Sequence, residues 1–336
     1  MKSSGLKVGV VGATGVAGSE IVRILEEREF PVAELRPFAS ERSRGRAISF
    51  RRHNLPCRVV EESEIDGLDL VLMEAPASVA RQWVPVAVRR GAVVVDNSPA
   101  FRYDVDTPLV VPEVNAGELH RHRGIVASPN CTTLALVPVL KPLDAAAGLV
   151  RVVAVSYQAV SGTGAAAVAE LDEQLANPQA VPRVYARRIA HNVIPQADDY
   201  VEHGLTKEEH KLIVESRKIL GRPDLAVSPF CVRVPVYVGH SLAVMCETER
   251  ELSPEEAEDA LASAPGVTLW KGTDYPTPLE IAGTDGTHVG RVRRDPGHPR
   301  ALALWISCDN LRKGAGLNNV QIAEELVRRD LLRVAR

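Results

Sequence analysis

Short apolar runs and helical stripes alternate along the first third of the chain. "KVGVVG" predicts a strand, and in "GSEIVRILEE" the residues Ile21, Ile24 and Leu25 fall at helical spacing. "PVAELRPFAS", "LDLVLMEA" and "GAVVVDNS" predict a second, third and fourth strand, with the helix-like "SVARQWVPVAVRR" between the last two. Continuous apolar strands separated by helices indicate a parallel sheet covered on both faces, the doubly wound layout of a nucleotide-binding domain.

From about Val150 the pattern changes. "VRVVAVSYQAV", "VSPFCVRVPVYV" and "HSLAVMCETER" are longer, Val-rich strands, and their two-residue alternation suits a sheet with one face packed on helices. "TKEEHKLIVESRKIL" predicts a helix with Thr206 as N-cap, Glu209 as capping-box partner and Gly221 as its stop. "GAGLNNVQIAEELVRRDLL" predicts a final amphipathic helix. A chain of 336 residues exceeds one ordinary core. The expected fold is α/β. A Rossmann-like, doubly wound dinucleotide-binding domain takes residues 1–128 and is completed by a C-terminal helix over 313–336. An α+β domain with a mostly one-sided sheet takes 129–312.

Composition narrows the function classes. Formal charge is -3 and aromatics are 4%, so neither a basic surface nor stacking platforms favour nucleic acid. No apolar stretch approaches a membrane span, and "MKSSGLKVGVVGATG" lacks the features of a signal peptide. The five cysteines are an odd number with no C-x-x-C pair, which suits a reducing cytoplasm better than a disulfide framework or structural zinc. His120 and His122, beside Arg121 and Arg123, read as a solvated loop, and no metal site is expected.

Two motifs carry chemistry. "VGVVGATGVAGSE" sets Gly12, Gly15 and Gly18 between a strand and a helix. Such glycines allow a tight turn and close approach to a pyrophosphate, with the helix N-terminus supplying free N–H groups. Gly12, Thr14, Gly15, Val16 and Ala17 are the candidate contacts. The second strand runs into "ASERSRGR", where Arg42 and Ser43 could grip a 2′-phosphate, assisted by Arg44 or Arg46, so NADP is favoured over NAD despite Glu41. The second motif is "SPNCTTLALVPVLKPL". Cys131 sits where a turn opens a helix, and a helix N-terminus stabilises a thiolate. An inert buried thiol fits the same local sequence. Pro138 is expected to kink this helix. Cys231 and Cys246 read as core packing, and Cys57 and Cys308 carry no signal.

"SPNCTT", "YQAVSGTGAAAVAEL", "HNVIPQ", "CVRVPVYVGHS" and "LRKGAGLNNVQIAEEL" occur in an order that resembles the aspartate-semialdehyde dehydrogenase family over nearly the whole chain. The resemblance implies a second domain that dimerises through its sheet. It implies reduction of L-4-aspartyl phosphate to L-aspartate 4-semialdehyde with NADPH and release of phosphate, within amino-acid biosynthesis. It makes Cys131 the nucleophile that forms a thioester, Gln158 the group that orients the carbonyl, and His240 the acid/base. Arg233 takes the α-carboxylate, Glu208 the ammonium and Lys211 the phosphate, with Arg102 and Asn130 completing the phosphate site. Ser161, Gly162 and Asn318 touch the cofactor. The expected assembly is a homodimer or a dimer of dimers. Arg233 and His240 lie seven residues apart on one extended stretch, so a turn or bulge at Gly239 must re-aim His240. Singly, His240 could be a turn-end surface histidine, Arg233 a strand-face ion pair, and Glu208–Lys211 a helix-surface pair.

The chain departs from the family pattern after its third strand. "MEAPAS" replaces a Ser-Ala-Gly-Gly type loop, placing Glu74 and Pro76 near the cofactor. Pro99 stands for a serine and Leu242 for a glutamate. Two alternatives stay open: the same chemistry on another acyl phosphate, and a non-catalytic nucleotide-binding relative.

Overall fold

The computed structural model describes residues 5–332. They form two compact units, one taking the chain up to Pro129 and again from Ala315, the other Asn130–Gly314.

The first unit holds β1 (Leu6–Val11), β2 (Val32–Phe38), β3 (Ala47–Phe50), β4 (His53–Pro56), β5 (Leu70–Met73), β6 (Val93–Asp96) and β7 (Ile125–Ala127). Five of them make a parallel sheet in the order β2-β1-β5-β6-β7, and β3-β4 is a separate hairpin. Side chains alternate across a strand, and here both faces are apolar. Val8, Val10, Leu70, Leu72, Val93 and Val95 pack with Ile21, Ile24 and Leu25 on one face, whereas Val11, Val71, Met73 and Val94 pack with Ala80, Val84 and Ala87 on the other. The continuous apolar runs follow from that double burial. The C-terminal helix Leu317–Arg328 joins the first of these cores through Leu317, Val320, Ile322, Ala323 and Leu326. Arg28 ties it to the helix Val16–Glu27 by a two-pronged bond to Glu324, at 2.7 and 2.8 Å.

That last helix is shorter than its sequence pattern. Arg312–Gly316 is a π turn ahead of it, and the chain leaves the helix after Arg328. Residues 333–336, assigned to the helix from sequence, lie outside the described residues. Residues 116–121 are a 3-10 helix, and His122 is half-buried. Its Nε2 meets the Leu331 carbonyl at 2.9 Å and its Nδ1 accepts from Gly124 N, so His122 fastens the chain end where a solvated loop was expected.

The second unit is built on β8 (Leu149–Gln158), β9 (Ala226–Arg233), β10 (His240–Thr248), β11 (Val267–Leu269), β12 (Thr287–Arg294) and β13 (Ala301–Cys308). They form one mixed sheet, β11-β12-β13-β10-β8-β9. One face buries Val152, Ala154, Leu242, Val244, Leu304 and Ile306 against helices, Cys131–Ala147 among them. The other face leaves Phe230 exposed and Tyr157 and Trp305 half-covered, their rings 5.5 Å apart. The helix Cys131–Ala147 is buried on all sides from Thr132 to Leu140, exposes Lys141, and runs through Pro138 and Pro142. The helix Lys207–Leu220 begins with the expected capping box of Thr206 and Glu209 and ends at Gly221 in the left-handed region.

One expectation changes. "CVRVPVYVGHS" is not one extended stretch: β9 stops at Arg233 and β10 starts at His240, with β8 lying between them in the sheet. β8 and β9 are parallel, and β10 is antiparallel to β8. The last residue of β8 (Gln158), the last of β9 (Arg233) and the first of β10 (His240) therefore meet at one end of these three adjacent strands.

Candidate active site

The Gly-rich loop of the first unit is shaped by its own packing. Gly12 has φ +82°, and a Cβ there would come within 1.9 Å of the Glu74 carbonyl oxygen. A Cβ on Gly18 would lie 2.1 Å from the Gly12 carbonyl oxygen. Gly15 is different: only that same oxygen, at 3.3 Å, comes near, so its outer flank is open. It precedes the helix Val16–Glu27, whose first N–H groups, from Val16 and Ala17 on, have no intrahelical partner. A cleft of about 440 Å³ opens beside the loop, lined by Gly12, Thr14, Gly15, Ser40, Glu74 and Trp83 among others. Val16 and Ala17 do not line it.

Past β2, Glu41–Ser43 is a single 3-10 turn. Arg44 grips Glu41, Nε to Oε1 at 3.0 Å, which offsets the acidic residue of this turn and leaves Arg42 as an exposed cation next to it. Glu74 behaves less like a charge than its position suggests. Burial pushes its carboxyl up to about 7, against a 2.7 Å bond from Asn97 Nδ2 and the nearby Arg102 cation. Arg102 is buried and donates Nη2 to the Asn97 carbonyl. Asn318, expected to touch the cofactor, is fully buried and absent from the cleft wall. Its Nδ2 donates to Val110 O and to Ser128 Oγ, holding the turn ahead of Pro129.

The second unit brings the other site residues together. Cys131 is the first residue of its helix, with Asn130 as N-cap accepting from Thr132 N. Cys131 Sγ is 3.2 Å from His240 Nε2. His240 is 1% exposed, which rules out a turn-end surface role. Burial first, then the Arg233 guanidinium, holds its pKa well below the usual imidazole range, so the ring is neutral at physiological pH. Cys131 is partly exposed, whereas the other four thiols are buried. Burial pushes those of Cys231, Cys246 and Cys308 up to about 12.

Arg233 is 6% exposed and donates Nη1 to the Ala159 carbonyl at 2.7 Å, while its buried Nε finds no partner among the described residues. A buried guanidinium with an unused N–H is ready for an anion, and no strand-face ion pair occupies it. Gln158 is buried and donates to Ser156 Oγ at 3.1 Å. Gly162, read from sequence as a cofactor contact, packs on this cluster. A Cβ there would approach His240 Cε1 and Arg233 Nη1 at 3.1 and 3.2 Å. Ser161 Oγ accepts from Asn310 Nδ2, and Asn310 Oδ1 accepts from Gly239 N, so one amide ties the turn after β8 to the turn before His240.

Glu208 and Lys211 pair at 2.8 Å, but both side chains are largely buried, unlike a helix-surface pair. Burial works against the Lys211 ammonium. Glu208 and Asp198, the latter at 3.0 Å, more than offset it and hold the pKa above its ordinary value. Asn130 Nδ2 lies 3.1 and 3.2 Å from the two Glu208 oxygens.

Two contributors escaped the sequence. Glu215, fully buried, accepts from Asn130 N at 2.7 Å and from Thr133 Oγ1 at 2.9 Å through one oxygen, clamping the first turn of the Cys131 helix. It stands one heptad after Glu208, so spacing along that helix is the signal that could have found it. Ala159 donates its N–H to His240 Nδ1 at 3.1 Å, a backbone contact that no side-chain pattern reveals.

The model of the semialdehyde dehydrogenase NAD binding domain matches residues 7–122, and that of the semialdehyde dehydrogenase dimerisation domain matches residues 140–313. The aspartate-semialdehyde dehydrogenase of Aquifex aeolicus is 43% identical over 339 residues, covering 98% of this chain and all of that protein. That of Mycolicibacterium smegmatis is 47% identical over 344 residues, covering 96% and 99%. A crystal structure of aspartate semialdehyde dehydrogenase II from Vibrio cholerae, complexed with ASA, superposes with a TM-score of 0.95 at 42% identity, covering 97% of this chain and 99% of that one. With both domain models matched and relatives aligned end to end, the chain belongs to the aspartate-semialdehyde dehydrogenase family of oxidoreductases.

Proposed function

We propose that the chain catalyses the reversible, NADP-dependent reductive dephosphorylation of L-4-aspartyl phosphate to L-aspartate 4-semialdehyde through a thioester on Cys131. The observation that carries this reading is the 3.2 Å approach of Cys131 Sγ to His240 Nε2 at a helix start. The thiolate attacks the acyl carbon, a C–S bond forms, and the C–O bond to phosphate breaks with its electron pair leaving on phosphate. Gln158 orients the carbonyl. Arg233 receives the α-carboxylate as a fork, Glu208 the ammonium, and Lys211 with Asn130 the phosphate. After reduction the sulfur leaves as thiolate and the aldehyde is released.

The first unit holds the nucleotide. The open flank of Gly15, the helix N-terminus behind it and the adjoining cleft suit a pyrophosphate, with Gly12 and Thr14 on the wall and Arg42 and Ser43 reaching the 2′-phosphate. Bound there, the reduced nicotinamide supplies a hydride. The partly uncharged state of Glu74 removes much of the repulsion that a carboxylate would impose on a phosphorylated ligand. A second copy covers the open face of the six-stranded sheet at Phe230, Tyr157 and Trp305, giving a homodimer. The product feeds biosynthesis of lysine, methionine, threonine and isoleucine.

The test is formation of NADPH from aspartate semialdehyde, NADP and inorganic phosphate. Rate should require all three and vanish in Cys131→Ala. Turnover without phosphate, or an undiminished rate in Cys131→Ala, contradicts the proposal.

A further inference from the structure

Between the helices Ala165–Ala176 and Lys207–Leu220, residues 177–206 hold no regular element beyond the 3-10 turn Glu202–Gly204. A connection of this length inside a compact unit commonly serves a site. Buried side chains fix its course. Glu170 accepts from Arg183 N and Val184 N at 2.6 and 2.5 Å, and Gln174 Oε1 accepts from Ile189 N and Ala190 N at 2.9 and 3.1 Å. Ile194 then exchanges two backbone bonds with Arg233, at 2.9 and 2.8 Å. Asp198 follows, its Oδ2 3.0 Å from Lys211 Nζ. One segment therefore reaches both cations assigned above to the anions of the substrate.

Asp198 is held in an unusual way. Its φ is +70°, in the left-handed region that few residues with a side chain adopt. Its Oδ1 accepts from Asp199 N at 2.8 Å. Burial opposes its charge, but the Asp199 N–H, Lys211 and Lys207 outweigh burial and keep its pKa below the ordinary carboxylate range, so it is ionised at neutral pH. Lys211 thus lies between two carboxylates, Glu208 at 2.8 Å and Asp198 at 3.0 Å, and the three groups together are negative. The charge on Glu208 is answered when the substrate ammonium arrives. That on Asp198 has no counterpart in the substrate. Lys207 stands 3.9 Å from Asp198 Oδ1 and is bonded to Asp199 at 2.5 Å.

We infer that Asp198 is a positioning residue that tethers the Lys211 ammonium and, through its uncompensated negative charge, loosens the hold of this subsite on phosphate. An anion on Lys211 keeps Asp198 as a like-charged neighbour across the same ammonium, in a partly buried place where solvent screens the pair incompletely. Phosphate is then drawn in by Lys211 and readily given up. The inference rests on Lys211 as the phosphate-binding cation.

The test is Asp198→Asn. Asparagine keeps an oxygen for Lys211 and accepts the left-handed backbone, and only the charge is lost. With aspartate semialdehyde and NADP, the KM for inorganic phosphate should fall about three- to tenfold, and in the opposite direction inhibition by phosphate should strengthen to the same degree. A residue that merely supported the fold would not tighten phosphate when changed. An unchanged or raised phosphate KM in the variant overturns the inference. Lys211→Ala should raise the phosphate KM at least about tenfold. If it does so while Asp198→Asn brings no fall, only the inference about Asp198 is lost. If Lys211→Ala leaves the phosphate KM unchanged, the phosphate role of Lys211 is lost and this inference with it.

Discussion

Cys131 Sγ lies 3.2 Å from His240 Nε2 although 109 residues separate them. The contact needs a helix start and a strand start to arrive at one end of the sheet's strands. Four further thiols in the chain lack any such surroundings.

Alkylation should therefore be selective. Iodoacetamide near neutral pH should add one label per chain, at Cys131, with activity lost in proportion. Buried thiols whose pKa sits near 12 have almost no thiolate. Peptide mass mapping reads this directly, and rapid labelling of Cys231 or Cys308 in folded protein would speak against it.

Glu215 holds the first turn of the Cys131 helix through Asn130 N and Thr133 Oγ1. Glu215→Ala orphans Asn130 N and the Thr133 hydroxyl and should cost about 1–3 kcal/mol of stability, with kcat reduced more than KM. Glu215→Gln keeps an acceptor oxygen for both donors and should recover most of kcat. Urea unfolding and steady-state kinetics on the pair check this.

Glu74 ties stability to pH. Its folded pKa, about 7, lies above the ordinary 4.5, so the native state binds more protons in between. Its favourable contribution is complete below about pH 4 and is lost as pH rises through 7. Glu74→Gln should therefore gain about 1–3 kcal/mol relative to the parent at pH 8 and almost nothing at pH 4. Thermal unfolding at the two pH values decides it. Asp96, raised to about 6 mainly by burial, should leave a residual slope of the same sign in the variant.

Gly12→Ala drives a methyl into the Glu74 carbonyl and imposes a left-handed conformation on a side-chain residue. The loop must deform, at a cost on the order of 1–3 kcal/mol. NADPH binding by calorimetry should fall below detection, with the Cys131 alkylation rate unchanged.

Arg42→Ala should weaken NADPH by about tenfold and leave NADH nearly unaffected, since Arg44 already holds Glu41 and Arg42 is the exposed cation of the turn. Equal weakening of both cofactors would remove the 2′-phosphate contact.

The layout of the first unit was legible because double burial writes itself as apolar runs, and the capping box at Thr206 because its side-chain chemistry is local. β7 and β11 are three residues long, and the arginines of β12 blur its period, so none of these reads as a strand, whereas β13 carries an apolar run over eight residues that its sequence does show. Continuity of the apolar pattern also disguised the break between Arg233 and His240: residues 234–239 are apolar enough to pass for strand, yet Gly239 at φ +99° has left it. Local sequence could nominate Cys131 and family likeness could nominate His240. Glu215 shares a helix with Glu208 at heptad spacing, but its bonds to Asn130 N and Thr133 Oγ1, like the Ala159 N–H on His240, depend on tertiary placement. Asn318 gains from the structure a role that no sequence pattern shows, its Nδ2 donating to Val110 O and Ser128 Oγ.

The most direct measurement mixes the enzyme with aspartate semialdehyde and NADP in the absence of phosphate and follows NADPH within the first turnover. The account predicts a burst of about one NADPH per active site, a mass increase on the Cys131 peptide after acid quench, and continued turnover only when phosphate is added. No burst from the parent protein, or the same burst from Cys131→Ala, would contradict the thioester.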